Sequence, residues 1–128
     1  DGAWLKRLAD HVDTHTPPEE RILAVFDWLY VWFSEPGFHG CAFINAFGEL
    51  SGTLPTVARV VHGHKQKFQQ YLGDLVAAAD RPASLADHLA LLAEGAMTTA
   101  AIFESAEPAQ QARDAARILL WASSDGVM

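Results

Sequence analysis

Apolar residues recur along this chain every three or four positions, the spacing of a helix face, and long strand-like alternation occurs nowhere. The first such run, from about Ala3 to Asp13, sets Trp4, Leu8 and His11 or Val12 on one stripe, with Lys6, Arg7 and Asp10 outside it. Thr14 to Pro18 ends that run. Thr16 and Glu19 have the spacing of a capping box, and Pro17 and Pro18 stand where a missing amide donor costs little, which predicts a second helix from about Pro18 to Ser34. It carries Ile22, Phe26, Leu29 and Phe33 on one stripe and Val25, Trp28 and Trp32 on the next, so it is expected to be buried nearly all round. Asp27 is its only charge between Arg21 and Glu35. An all-round apolar helix either fills a core or lines a cavity, and its aromatic residues suit both roles.

Pro36 and Gly37 stop that helix, and Gly40 permits a further turn before a short apolar helix from Ala42 to Phe47. After breaks at Gly48, Ser51, Gly52 and Pro55, a long fourth helix is predicted from about Thr56 to Ala79, with Val57, Val61, His64, Phe68, Tyr71 or Leu72, and Leu75 on one stripe. Arg81 and Pro82 end it. Ser84 with Asp87 caps a fifth helix reaching about Phe103, striped by Leu85, Leu89, Leu92, Ala96 and Thr99, and Pro108 opens a sixth to about Ser123. The expectation is an all-α bundle of about six helices in a single domain, residues 1–128. The last two helices are rich in alanine and are expected to pack as an antiparallel pair. Leu91, Ile102, Ile118 and Leu120 give that pair more apolar surface than one stripe needs. Pairing with a second copy would make a four-helix bundle, with Leu92, Ala96, Ala100, Ala112, Ala116 and Leu119 expected at the homodimer interface; packing within one chain is the alternative.

Composition narrows the partners. Half of the 128 residues are hydrophobic and a fifth are charged, which suits a folded core and not a disordered chain. The net charge is -7, and the Lys and Arg residues are scattered, with only Lys6-Arg7 and Lys65 near Lys67 as small clusters, so this chain alone is expected to bind polyanions poorly. The lone Cys41 cannot form an internal disulfide, which points to a reducing cytoplasm. No stretch approaches the roughly 20 uninterrupted apolar residues of a membrane span. The sequence starts at Asp1 with no initiator Met and nothing like a signal peptide, as expected of a fragment or trimmed product.

Catalytic and metal chemistry find little support. His62 and His64 point to different helix faces, and His11 with His15 would share a face only if the first helix reached its breaker. Neither pair has the third and fourth ligands a tetrahedral zinc site needs, so no metal and no cofactor are expected. Cys41 near a helix start could act as a thiolate, although a small buried hydrophobe is the plainer role, and nothing specifies a third group for a Cys-His pair with His39 or His64. There is no glycine-rich phosphate loop.

The order of elements from Thr16 to Ser123, the Pro36-Gly37-Phe38 turn, Gly40-Cys41 followed by Phe43-Ile44-Asn45-Ala46, and His64-Lys65 on the next helix resemble the effector-binding domain of tetracycline-repressor-type (TetR/AcrR) transcriptional regulators. The resemblance implies a bacterial ligand sensor and dimeriser, of a repressor by the family's habit, and not an enzyme. It implies DNA binding only through a helix-turn-helix domain of about 50 residues preceding the sensor, which is absent from the 128 residues here. A small apolar or aromatic effector is then expected in a cavity walled by Trp28, Trp32, Phe43, Phe47 and Phe68, with Asn45 and His64 as orienting polar groups. His64 has the alternative of a core histidine bonded to a carbonyl, and Asn45 that of a cap or helix bridge. Two rivals stand beside this reading. A helical enzyme would show a strongly shifted pKa at Asp27, Glu49 or His64, and an interaction module would have a filled core.

Overall fold

The computed structural model describes residues 2–38 and 55–123. Among them lie five α-helices and no strand: α1 (Gly2–Val12), α2 (Pro18–Phe33), α3 (Pro55–Ala78), α4 (Ser84–Phe103) and α5 (Glu107–Ala122). The expected helix over Ala42 to Phe47 lies outside the described residues. The other five appear within a residue or so of the predicted ends, because prolines and turn residues punctuate the chain strongly.

Helix α2 is the centre, packing against each of the other four. Ile22 through Phe26 are buried without a break, as are Trp28, Leu29 and Phe33, which is what two adjacent apolar stripes require. Leu8 and Val12 of α1 pack on one side; Phe68, Leu72, Leu75 and Val76 of α3, Leu89 and Ala93 of α4, and Ala109 and Ala116 of α5 complete the core. No polar or charged residue is fully buried among the described residues. Asp27 at the edge of α2 is held instead by Arg113 of α5, Nε to Oδ1 2.9 Å.

The caps depart from expectation. The capping box of Thr16 and Glu19 does not form: the residue before α2 is Pro17, in extended conformation (φ -66°, ψ 139°), and it has no side-chain acceptor to offer. Glu19 turns instead to Arg81 in the α3–α4 turn, 3.3 Å away. Ser84 likewise begins α4 rather than capping it, and Asp87 accepts a hydrogen bond from Gln69 of α3. Helix α1 ends as its sequence suggests, with the Thr14 hydroxyl donating to the His11 carbonyl at 2.7 Å.

Two turns bear left-handed residues that are not glycine, Asp80 (φ 58°) and Glu104 (φ 50°). Each closes its helix: Arg81 N–H donates to Val76 O and Ser105 N–H to Ala100 O, both at 3.1 Å. Aspartate tolerates this conformation better than glutamate. Glu104→Gly should therefore raise stability by about 1 kcal/mol in urea denaturation, since it relieves a non-glycine residue at positive φ. Phe26, with no exposed surface, sets the opposite scale. Phe26→Ala should cost about 3–5 kcal/mol in the same assay, and a loss below 1 kcal/mol would contradict its place at the centre of the core.

Candidate functional site

The sequence places Trp4 on the buried stripe of α1 without marking it as special. In the fold it is the hub of an aromatic cluster drawn from three helices. Its ring lies 5.1 Å from Trp28 and 5.4 Å from Trp32 on α2, and 5.1 Å from His64 and 5.4 Å from Phe68 on α3, centroid to centroid. All four neighbours stand steeply inclined to it, at 66° to 83°. This is the edge-to-face geometry that the aromatic quadrupole favours, each contact contributing roughly 0.5–1.5 kcal/mol beyond area burial. Trp28 and Trp32, one turn apart, stack on each other at 13° and 5.7 Å, and Trp32 passes the cluster on to Phe38 at 5.0 Å.

Four of the seven residues expected to meet a ligand, Trp28, Trp32, His64 and Phe68, thus converge on one place. Phe43, Asn45 and Phe47 lie outside the described residues. The space left beside Trp4, Leu5, His64, Lys67 and Phe68 is only about 10 Å³, near the minimum for one water. Among the described residues, Trp4 stands where these rings meet. Sequence reasoning missed Trp4 as a site residue, although a large aromatic at the start of an amphipathic helix beside a Trp-rich one was the available signal.

Charge frames the cluster on one side. The Arg7 guanidinium sits 5.5 Å above the Trp28 ring and bonds to Glu35, so one α1 side chain meets both α2 and the turn that follows it. On the α3 side, Lys65 bonds to Glu94 of α4. Burial lowers the His64 pKa below its ordinary value, because an imidazolium would lose solvation among these rings. A histidine whose folded pKa is depressed penalises the folded state as pH falls through the unfolded value near 6.5, and the penalty levels off once pH is below the folded pKa. The fall in stability from pH 7 to 5 should accordingly be smaller in His64→Gln than in the wild type, measured by urea denaturation at each pH. Equal slopes would mean that His64 is solvated as in the unfolded chain.

Away from the cluster, the α4/α5 pair presents a second surface. Of the six residues expected at a dimer interface, Ala96, Ala100, Ala112 and Ala116 are buried where α4 meets α5 within the chain, and Leu92 and Leu119 are half-buried at its edge. Alanine allows the two backbones to approach, so most of the small residues are consumed by the intramolecular contact. What remains outward is larger: Leu91 is 71% exposed, Ile118 64% and Trp121 82%. Leu91, Leu92, Gly95, Thr99, Pro108 and Gln111 border an open groove of about 290 Å³ on this face.

Among the described residues no three His, Cys, Asp or Glu side chains are grouped to hold a metal ion; the His11 and His15 rings approach to 5.6 Å without a third ligand. No described helix is long and apolar enough to cross a membrane.

A central helix buried along most of its length, an aromatic cluster toward its C-terminal end and a hairpin with exposed apolar side chains define an all-helical domain. Residues 18–116 match the tetracyclin repressor-like, C-terminal domain family, and the chain belongs to it. Its fold is similar to the crystal structure of a TetR-family transcriptional regulator from Streptomyces coelicolor, with a TM-score of 0.79 and 26% identity over 92% of this chain. The match covers 59% of that regulator, so this chain spans about three fifths of its length. Comparison with curated proteins finds no match.

Proposed function

We propose that this chain is the effector-sensing and dimerisation domain of a TetR-type transcriptional repressor, taking a small apolar or aromatic ligand at the cluster built on Trp28, Trp32, His64 and Phe68. The observation that carries this reading is the convergence of those residues from α2 and α3 on a side chain of α1. In the parent protein, α1 would continue toward the DNA-reading domain, so a ligand favouring one position of α1 would change the spacing of two recognition helices. Differential affinity for the two positions supplies the coupling, typically ~1 to 3 kcal/mol. Binding rather than catalysis is also supported by Asp27, the one acid of α2 beyond its first turn, being paired with Arg113. A cytoplasmic location accords with the single cysteine.

Dimerisation through α4 and α5 would cover Leu91, Ile118 and Trp121, residues that a monomer leaves mostly in water. Native mass spectrometry of gently purified protein tests both halves of the proposal, reporting subunit count and any retained small molecule. The expected result is a dimer at micromolar concentration. Leu91→Glu with Ile118→Glu should give a monomer with unchanged helical circular dichroism, because two like charges would meet their counterparts across the two-fold axis. A wild-type monomer would remove the interface. A folded protein whose melting temperature no small aromatic compound raises would remove the effector reading.

A further inference from the structure

We infer that two copies of this chain interlock by exchanging one side chain: Ile118 of each copy seats in the groove over Gly95 of the other. The inference rests on the proposed dimerisation through α4 and α5 and goes further, fixing the register of the interface and the residue pair at its core.

The groove is the hole. It opens outward along the seam of α4 and α5 with a volume of about 290 Å³, enough to receive a large aliphatic side chain. Its walls hold no charged residue, and only Thr99 and Gln111 among them have polar side chains. Along the hairpin, charged side chains are engaged elsewhere: Glu94 with Lys65 and Asp87 with Gln69 on α3, Arg113 with Asp27 on α2, and Arg117 with Asp114 on its own helix at 3.5 Å. Gly95 keeps the groove deep. It lies in the interior of α4, where glycine is a poor helix former, and a Cβ built on it would meet no atom within 4 Å. Gly63 and Gly73 of α3 share that open space, so a glycine alone marks no contact; Gly95 is distinguished by its place in the groove.

The knob lies on the same face. Ile118 is mostly exposed and stands about two helical turns beyond Gln111 of the groove wall, so the two side chains point nearly the same way. That stretch of α5 spans about 10 Å. A knob and a hole set side by side on one face suit a two-fold axis, because in an isologous interface residue i meets j while j meets i. The axis lies in the plane of contact and crosses the hairpin obliquely near Ala115, midway between the two. Leu91, which borders the groove and is also mostly exposed, then packs beside the seated isoleucine. Both large apolar side chains leave water together, and no charge is buried with them.

Sedimentation equilibrium of the full chain reads the dimer dissociation constant, with circular dichroism as the check on folding. Gly95→Leu fills the groove from within its own chain and should raise that constant about a hundredfold. Ile118→Ala removes the knob and should raise it about tenfold. The double variant, Gly95→Leu with Ile118→Ala, moves the bulk from knob to hole and should dimerise within about fivefold of the wild type, since residues in contact have non-additive effects. Should Gly95→Leu fail to fold, disulfide trapping takes its place: in a Cys41→Ser background, Gly95→Cys mixed with Ile118→Cys should form a covalent dimer under oxidised glutathione, and neither chain alone should. A wild-type dimer that Gly95→Leu leaves equally tight, a double variant as weak as the two single effects multiplied, or mixed chains that do not cross-link would each overturn the inference and leave dimerisation standing. A wild-type monomer at micromolar concentration removes dimerisation and the inference with it.

Discussion

A helix with apolar side chains on nearly every side cannot rest at a surface, and this single constraint organises the chain. Helix α2 exposes so little that other helices have to surround it, and α1, α3, α4 and α5 all do. Each of the four is amphipathic or alanine-rich and would be marginal in isolation. They gain their stability by giving α2 an apolar environment. Among the described helices α2 is the one that touches all the others, so its side chains belong to every major packing surface.

The same helix also brings two kinds of surface into one molecule. Its C-terminal half carries the stacked pair Trp28 and Trp32, against which α1 and α3 close through Trp4, His64 and Phe68. The α4/α5 hairpin covers α2 with alanines together with Leu85, Leu89, Met97 and Leu120, and leaves Leu91, Ile118 and Trp121 exposed. A hairpin with a filled inner face and large apolar residues on its outer face makes physical sense if a second copy supplies the remaining burial. Ion pairs then fix the register between elements: Arg7 with Glu35, Arg21 with Asp13, Arg81 with Glu19, and Arg113 with Asp27. Most of these are partly solvated, so they orient helices more than they stabilise them.

Much of the helical architecture was legible in the sequence because its punctuation is strong. Prolines at 18, 55 and 108 stand at or next to helix starts, and Gly37, at φ 86°, takes the left-handed position in the Glu35–Phe38 turn that follows α2. The capping boxes were not legible. Thr16 and Glu19 had the right spacing, yet Pro17 took the capping position and Arg81, 62 positions further along, claimed Glu19. Local spacing cannot anticipate a partner that arrives from another part of the chain.

The site divides in the same way. Periodicity alone assigned Trp28, Trp32, His64 and Phe68 to buried faces, since a helix turns 100° per residue whatever surrounds it. It could not say that these faces meet at Trp4, because the convergence depends on how α1 and α3 cross α2. Nor could it divide the residues of the last two helices between an internal seam and an outer face. Ala96, Ala100, Ala112 and Ala116 repeat at helical spacing, but their burial within the chain is set by the close approach of α4 to α5, and that leaves Leu91 and Ile118 to face solvent. The sequence by itself determined which segments are helical and which side of each is apolar, for those are short-range properties of spacing and backbone preference. Tertiary structure alone decided which apolar side meets which, because that choice rests on the fit of side chains far apart in the chain.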